Sequence, residues 1–247
     1  MQLKKYNTAA AIAGKVTAAQ RLALKRIWFG HQSVGNYLMH GPSDDNAVGM
    51  VKLFNDHPEY GLSNVDSPAS IGAISVGTLA DGHIGSNGHA DLKLTAFDTA
   101  VRTTFGGGLD IAIIKFCWID FYDSYADIQT TATADTFWAT YKSTIDALIA
   151  DYPSAVIIPC TVPVTPNDSD GGNALREYFS QKIRDEYGSV VFDVADWESR
   201  NASGTLELYN GTRELNAAWD IGDGGHPNAT GSTMLAEKLY AHLLTLV

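Results

Sequence analysis

Apolar residues are spread along this chain in two distinct patterns. Four short runs are almost continuously apolar and rich in β-branched or aromatic residues: 26–29, 111–116, 155–159 and 189–194. A strand with one wet face alternates, whereas a strand that does not alternate is covered on both faces, as in a parallel sheet. A further strand is expected at 62–65 or 71–76. Between these runs apolar residues recur at helical spacing. Helices are expected over 17–25, 34–39, 90–105, 136–150 behind an Asp135 cap, 173–187 and 230–244. The helix over 90–105 carries Leu92, Leu94, Phe97, Ala100 and Val101 at that spacing. The stretch 41–90 is Gly- and Asp-rich and reads as loop and short elements.

Strands alternating with helices imply right-handed crossovers and a doubly wound α/β fold: three layers, α/β/α, around a flavodoxin-like parallel sheet of about five strands. Such sheets bind ligands at the carboxyl ends of their strands. Ser33, Asp120 and Thr161 each follow an expected strand, so the fold should bring them to one edge. The length of 247 residues suits one domain over 1–247, with 1–19 as an N-terminal extension.

Two sites along the sequence carry candidate chemistry. Asp223-Gly224-Gly225-His226 places an acid three residues before a histidine, able to orient the imidazole and stabilise its charged form. Ser33, in Phe29-Gly30-His31-Gln32-Ser33-Val34-Gly35, lies between an expected strand and helix. There it would expose its hydroxyl beside backbone N–H groups that can hold an oxyanion. Each feature alone has a plainer reading, Ser33 as a helix cap and Asp223 as a turn former. Together they suggest a nucleophile and its base.

Charge and cysteine content narrow the partners. The net charge of -11, with no Lys/Arg cluster to offset it, argues against nucleic-acid binding. No apolar run approaches the roughly 20 residues needed to span a bilayer, so no membrane partner is expected. The N-terminus has Lys4, Lys5 and an Ala-rich stretch but not the dense apolar core of a secretory leader. A secreted or periplasmic protein would therefore have lost its leader already. Cys117 and Cys160 follow apolar runs and read as buried free thiols, with a single bridge as the alternative.

These residues give the chain a family likeness, covering roughly 20–245. It resembles the SGNH (GDSL-type) hydrolases, which have a serine after the first strand, a glycine after the second, an asparagine after the third and a C-terminal Asp-x-x-His. His31-Gln32-Ser33-Val34-Gly35 resembles the serine block and Asp223-Gly224-Gly225-His226 the last block. The segment from Tyr141 through Thr161-Val162-Pro163 looks like the family's helix, strand and Thr-x-Pro loop, and 191–196 its fifth strand. The resemblance implies a Ser33–His226–Asp223 triad that hydrolyses small acyl esters, acetyl groups on a saccharide among them, without cofactor or metal. Two other readings keep the same cleft: an O-acyltransferase, and a non-catalytic glycan-binding module.

The sequence departs from the family at two blocks. His-Gln-Ser stands where Gly-Asp-Ser is usual. Gly85-Ser86-Asn87-Gly88 matches the glycine block, which implies Ser33 and Gly85 N–H groups as oxyanion donors. The third block, Phe116-Cys117-Trp118-Ile119-Asp120, has no asparagine. An ionised Asp120 would repel an oxyanion, so either Asn87 donates in its place or Asp120 positions another group. His31, Trp118 and Asp120 are expected near substrate, with Phe121, Tyr122 and Tyr125 as further stacking surfaces. His83 and His89 flank Gly85, but their spacing matches no zinc pattern. Residues 167–173 resemble part of a calcium loop that lacks the terminal Glu, and read as a solvated loop.

Overall fold

The computed structural model describes residues 16–122, 124, 126–169 and 171–247. Most of the expected N-terminal extension, Tyr125 of the aromatic cluster and Asp170 of the calcium-like loop lie outside the described residues.

Five parallel strands form the central sheet: β1 Arg26–His31, β2 Ser63–Asp66, β3 Thr78–His83, β4 Ile111–Ile114 and β5 Val156–Pro159. Their order is β2-β3-β1-β4-β5, which puts β1 in the middle. The main helices are α1 Ala18–Leu22, α2 Val34–His40, α3 Gly49–Asp56, α4 Ala90–Thr99, α5 Thr131–Asp151, α6 Asn173–Tyr187, α7 Val194–Glu198 and α8 Ala229–Thr245. A small antiparallel pair, β6 Leu208–Tyr209 and β7 Thr212–Arg213, stands apart from the sheet.

The pleat explains why the strands do not alternate. On β1, Ile27 and Phe29 enter one core while Trp28 enters the other. The first core is closed by α1, α2, α3 and α8 through Leu22, Leu38, Phe54 and Leu239. The second is closed by α4, α5 and α6 through Phe97, Tyr141 and Phe179. Both strand faces are thus apolar, and the result is the expected three-layer α/β/α arrangement.

Local signals set several boundaries. Asn228 caps α8 by accepting from the Gly231 N–H at 2.9 Å, and Thr130 caps α5 from Thr133. The latter starts α5 five residues before the expected 136, and Asp135 lies inside the helix, where it accepts from Tyr178 instead. In the predicted 90–105 helix, Leu92 points to solvent; the buried stripe is Ala90, Lys93, Leu94 and Phe97, and a π-helical turn at Ala100–Thr104 ends the element.

Two strand expectations change. The segment 41–90 contains β3, whose partners include the central strand β1. Its sequence, Thr78-Leu-Ala-Asp-Gly-His83, has little β-propensity, and the polar residues are accommodated by the buried hydrogen bonds described below. Of the two alternatives for another strand, 62–65 is close to β2, and Ile71–Ala73 is a 3₁₀ turn. The run 189–194 makes only a single parallel bridge, Phe192 to Cys160. Asp193 then accepts from the Asp196 N–H at 3.1 Å and turns the chain into α7, so the run's hydrophobicity serves packing rather than a ladder.

Cys117 and Cys160 are free and fully buried, and burial pushes the Cys160 thiol up to about 12. Thiol reagents should therefore modify neither cysteine in the native protein and both after denaturation. Titration with a chromogenic disulfide checks this, and rapid native modification of either would contradict the packing.

Candidate active site

The chain leaves β1 toward α2 on one face of the sheet and leaves β3 toward α4 on the other. Adjacent parallel strands whose exits diverge open a crevice at their carboxyl ends. Pairing aligns His31 with His83, and the Ile84 N–H donates to the His31 carbonyl at 3.0 Å. The loops carrying Ser33 and Gly85 therefore flank the same crevice.

Ser33 has φ 51° and ψ -112°, a conformation that L-residues seldom adopt. It does not cap α2: its side chain makes no capping bond, and its hydroxyl instead meets His226 Nε2 in a short hydrogen bond. The turn is closed by Gly35 N–H donating to the Gln32 carbonyl at 3.0 Å and Asn36 N–H to the Ser33 carbonyl at 2.7 Å. The Ser33 N–H has no partner among the described residues. Gly35 is required because a Cβ there would collide with the His31 side chain.

His226 reaches Ser33 from the loop before α8. Its Nδ1 lies 2.8 Å from Asp223 Oδ2, while Asp223 Oδ1 accepts from the His226 and Gly225 N–H groups at 3.1 and 3.2 Å. An ionised carboxylate only accepts, so the proton sits on Nδ1 and Nε2 faces the serine hydroxyl as acceptor. The imidazole is held on its face by Tyr37, stacked at 4.6 Å, and on its edge by Trp118 at 6.3 Å. Burial and the Asp223 charge raise the Tyr37 phenol above its ordinary value, keeping it neutral. Tyr37 carries no sequence signal beyond its place one turn after Ser33.

Asn87 and Gly85 occupy the second loop. Gly85 (φ 55°) packs directly on the first turn of α4, where a Cβ would strike the backbone of Leu92 and Lys93. The Gln32 side-chain amide donates to the Ile84 and Gly85 carbonyls at 3.2 and 3.1 Å, tying the Ser33 loop to the Gly85 loop. Gln32 is thus a positioning residue whose role the sequence reading did not assign. Asn87 is exposed, and its Oδ1 accepts from Lys93 Nζ at 2.9 Å.

Asp120 and His31, expected near substrate, have no exposed surface to offer one. Asp120 accepts from Lys93 Nζ at 2.8 and 2.7 Å, from Gly88 N–H at 2.9 Å and from Cys117 N–H at 2.7 Å. His31 lies beneath the serine loop with Nε2 at 3.0 Å from Asp81 Oδ2. Trp118 is partly exposed, with its Nε1 buried against Gly225 and without a hydrogen-bond partner among the described residues. Phe121 is buried in the core and Tyr122 is exposed. His83 is exposed at the end of β3, edge-on to His31 at 5.5 Å. His89 pairs with Asp127 at 2.9 Å.

Asp81 anchors the floor of the site. It accepts from His31, from His40 Nε2 at 2.9 Å and from the Asn64 amide at 2.7 Å. His40 Nδ1 faces Asn46 Oδ1 at 2.7 Å, so both ring nitrogens face acceptors and the ring is an imidazolium. The Asp81 hydrogen bond, despite opposing burial, raises His40 to about 9. Burial alone would raise the Asp81 carboxyl; its histidine and asparagine partners outweigh that and hold it well below the ordinary range. Burial lowers His31, which stays neutral.

Among the described residues, two groups bring His and Asp ligand atoms within 4.8 Å of one another: His40, Asp66 and Asp81, and His89, Asp91 and Asp127. In the first, His40 and Asp81 are already committed to each other. The second is at the surface.

No family model matches the chain, and no curated protein sequence matches it. Solved structures do resemble it in fold. A lipase/acylhydrolase from Enterococcus faecalis is 16% identical, with 90% of this chain and 96% of that one covered and a TM-score of 0.55. The acetyl xylan esterase AlAXEase is 15% identical, with 87% and 98% covered and a TM-score of 0.58. A structure from Desulfitobacterium hafniense assigned to the G-D-S-L family is 9% identical, with 88% and 99% covered and a TM-score of 0.51. The fold is that of the SGNH (GDSL-type) hydrolases.

The raised His40 makes a pH prediction. Its stabilisation is complete below the ordinary histidine value of 6.5 and is lost as pH rises through about 9. The depressed Asp81 contributes above the ordinary aspartate value and loses that contribution in acid. His40→Gln should therefore be less stable than the parent by on the order of 1–3 kcal/mol at pH 6, with the gap closing toward pH 10. Denaturant unfolding of both proteins across that range measures it, and a gap independent of pH would contradict the His40–Asp81 assignment.

Proposed function

We propose that this chain, which has the SGNH-hydrolase fold, is a serine esterase that removes small acyl groups, acetyl above all, from a saccharide. The observation that carries the reading is the hydrogen-bonded series from Ser33 Oγ through His226 to Asp223, with Nε2 left as acceptor. His226 takes the hydroxyl proton as Ser33 attacks the ester carbonyl, and Asp223 stabilises the imidazolium that forms. The tetrahedral oxyanion is received by the Ser33 and Gly85 N–H groups and the Asn87 amide. His226 then gives its proton to the leaving alcohol. Water, deprotonated by the same ring, then adds to the acyl–Ser33 ester, and the acid leaves as the Oγ–acyl bond breaks and His226 returns the proton to Ser33 Oγ. The steps require no cofactor.

Exposure supports the choice of substrate. Asp223, Gly85, Ser86 and Asn87 are all exposed, so the machinery lies in an open crevice. An open site suits a short acyl group displayed on a bulky alcohol, which approaches without having to be engulfed. The acetyl xylan esterase that shares the fold makes acetylated xylan a sensible first substrate.

The test is a fluorophosphonate probe together with aryl acetate and acetylated oligosaccharide hydrolysis. The native protein should be labelled and should release free acetate rather than pass it to an acceptor. Ser33→Ala should abolish labelling, and Asp223→Asn should lower kcat by about 10⁴-fold without unfolding the protein. Absence of labelling in the native protein would remove the esterase reading.

A further inference from the structure

A buried lysine in the first turn of α4 is not accounted for by the fold. Lys93 has no exposed surface, and it occupies the apolar stripe that Ala90, Leu94 and Phe97 continue into the core. A lysine is seldom fully buried unless it is paired. Lys93 Nζ makes three short contacts: one to Asn87 Oδ1 and one to each Asp120 oxygen. Its three protons therefore have three acceptors.

This arrangement fixes the orientation of Asn87. An ammonium can only donate, so the Asn87 oxygen must face Lys93, and the amide nitrogen must face away. That nitrogen has no hydrogen-bond partner among the described residues, and the residue is exposed. Gly88, with φ 87°, makes the turn between Ser86 and His89, and its N–H is held by Asp120. Asp120 also binds the Cys117 N–H, so the β4 exit, the Gly88 turn and α4 are joined through one carboxylate.

We propose that the buried Lys93–Asp120 pair is the positioning device of the oxyanion site, holding Asn87 so that its Nδ2 is presented as the third donor. The inference rests on the esterase reading above and extends it: an aspartate that would repel an oxyanion directly instead acts at a distance through Lys93. Lys93 and Asp120 are positioning residues, and Asn87 is the group that meets the substrate oxygen. Preorganisation is what gives such a donor its value, because an amide that must be reoriented during the reaction loses its advantage.

The experiment compares Asn87→Ala, the charge-removing pair Lys93→Met/Asp120→Asn, and the triple variant that combines them. The pair is used because Lys93→Met alone would strand a buried carboxylate. Thermal unfolding identifies the folded variants. Aryl acetate kinetics give kcat and KM, and ¹⁵N spectra report the Asn87 side-chain amide, assigned by its loss in Asn87→Ala. Asn87→Ala should lower kcat by about 10²–10³-fold with little change in KM. The pair should also lower kcat, should shift or broaden the Asn87 amide resonance, and should cost nothing further in the Asn87→Ala background. Native kcat in the folded pair, multiplicative losses in the triple variant, or an unmoved Asn87 amide would each overturn the inference while leaving the esterase intact. If the pair does not fold, Asp120→Asn alone, which keeps the lysine, must shift the same amide resonance, and an unmoved signal overturns the inference. Failure of the native protein to react with the fluorophosphonate removes the esterase reading and the inference with it.

Discussion

Parallel pairing of β1 with β3 runs from Arg26 opposite Thr78 to His31 opposite His83. Ser33 and Gly85 each lie two residues past that last pair, so the register decides whether nucleophile and oxyanion donor are level. A slip by one residue would turn every side chain on the strand to the other face and break both cores. Polar chemistry reinforces the register from within. Asp81 of β3 binds His31 of β1 and His40 at the end of α2, so one carboxylate fixes the strand before Ser33 and the helix after it.

Buried charge is used the same way on both sides of the crevice. Under the serine loop it is His40 with Asp81, and under the Asn87 turn it is Lys93 with Asp120. Such pairs give less net stability than their attraction alone would, because desolvation offsets much of it, although breaking one is costly. What they supply is geometry: each joins segments distant in sequence through short, directional bonds. Gln32 completes the frame by bridging the two loops directly. The conformation of Ser33 can persist because the turn around it is closed by its own backbone bonds and by the fit of Gly35 over His31.

The sequence was most legible where periodicity was strong. The α6 boundaries, the core strands β1, β4 and β5, and the meeting of Ser33 with Asp223 and His226 all follow from apolar patterning and motif placement. It was least legible where polar residues are buried. The Asp81 and Gly82 of β3 hid a strand beside the central one, because a strand satisfied by an internal hydrogen-bond network does not show the pattern that marks an apolar one. In the opposite direction, 189–194 looked like a strand because its side chains are buried, although its backbone forms one bridge. His31 was expected near substrate because it lies two residues from Ser33, and Asp120 because it follows the β4 run where the third block falls, but both are fully buried. Lys93 had a readable signal: a lone cation at helical spacing among Ala90, Leu94 and Phe97 implies a buried acceptor. Which acceptor could be learned only from the fold, since Asp120 lies 27 residues away.

The central claim is that Ser33 attacks the substrate with His226 as its base. Mixing the protein with an aryl acetate, quenching in acid during the first turnover and mapping the peptides by mass spectrometry tests it directly. The account predicts an acetyl group on Ser33 in the native protein and on no residue in His226→Ala on the same timescale. Alcohol release without an acetylated Ser33, or acetylation at another side chain, would contradict it.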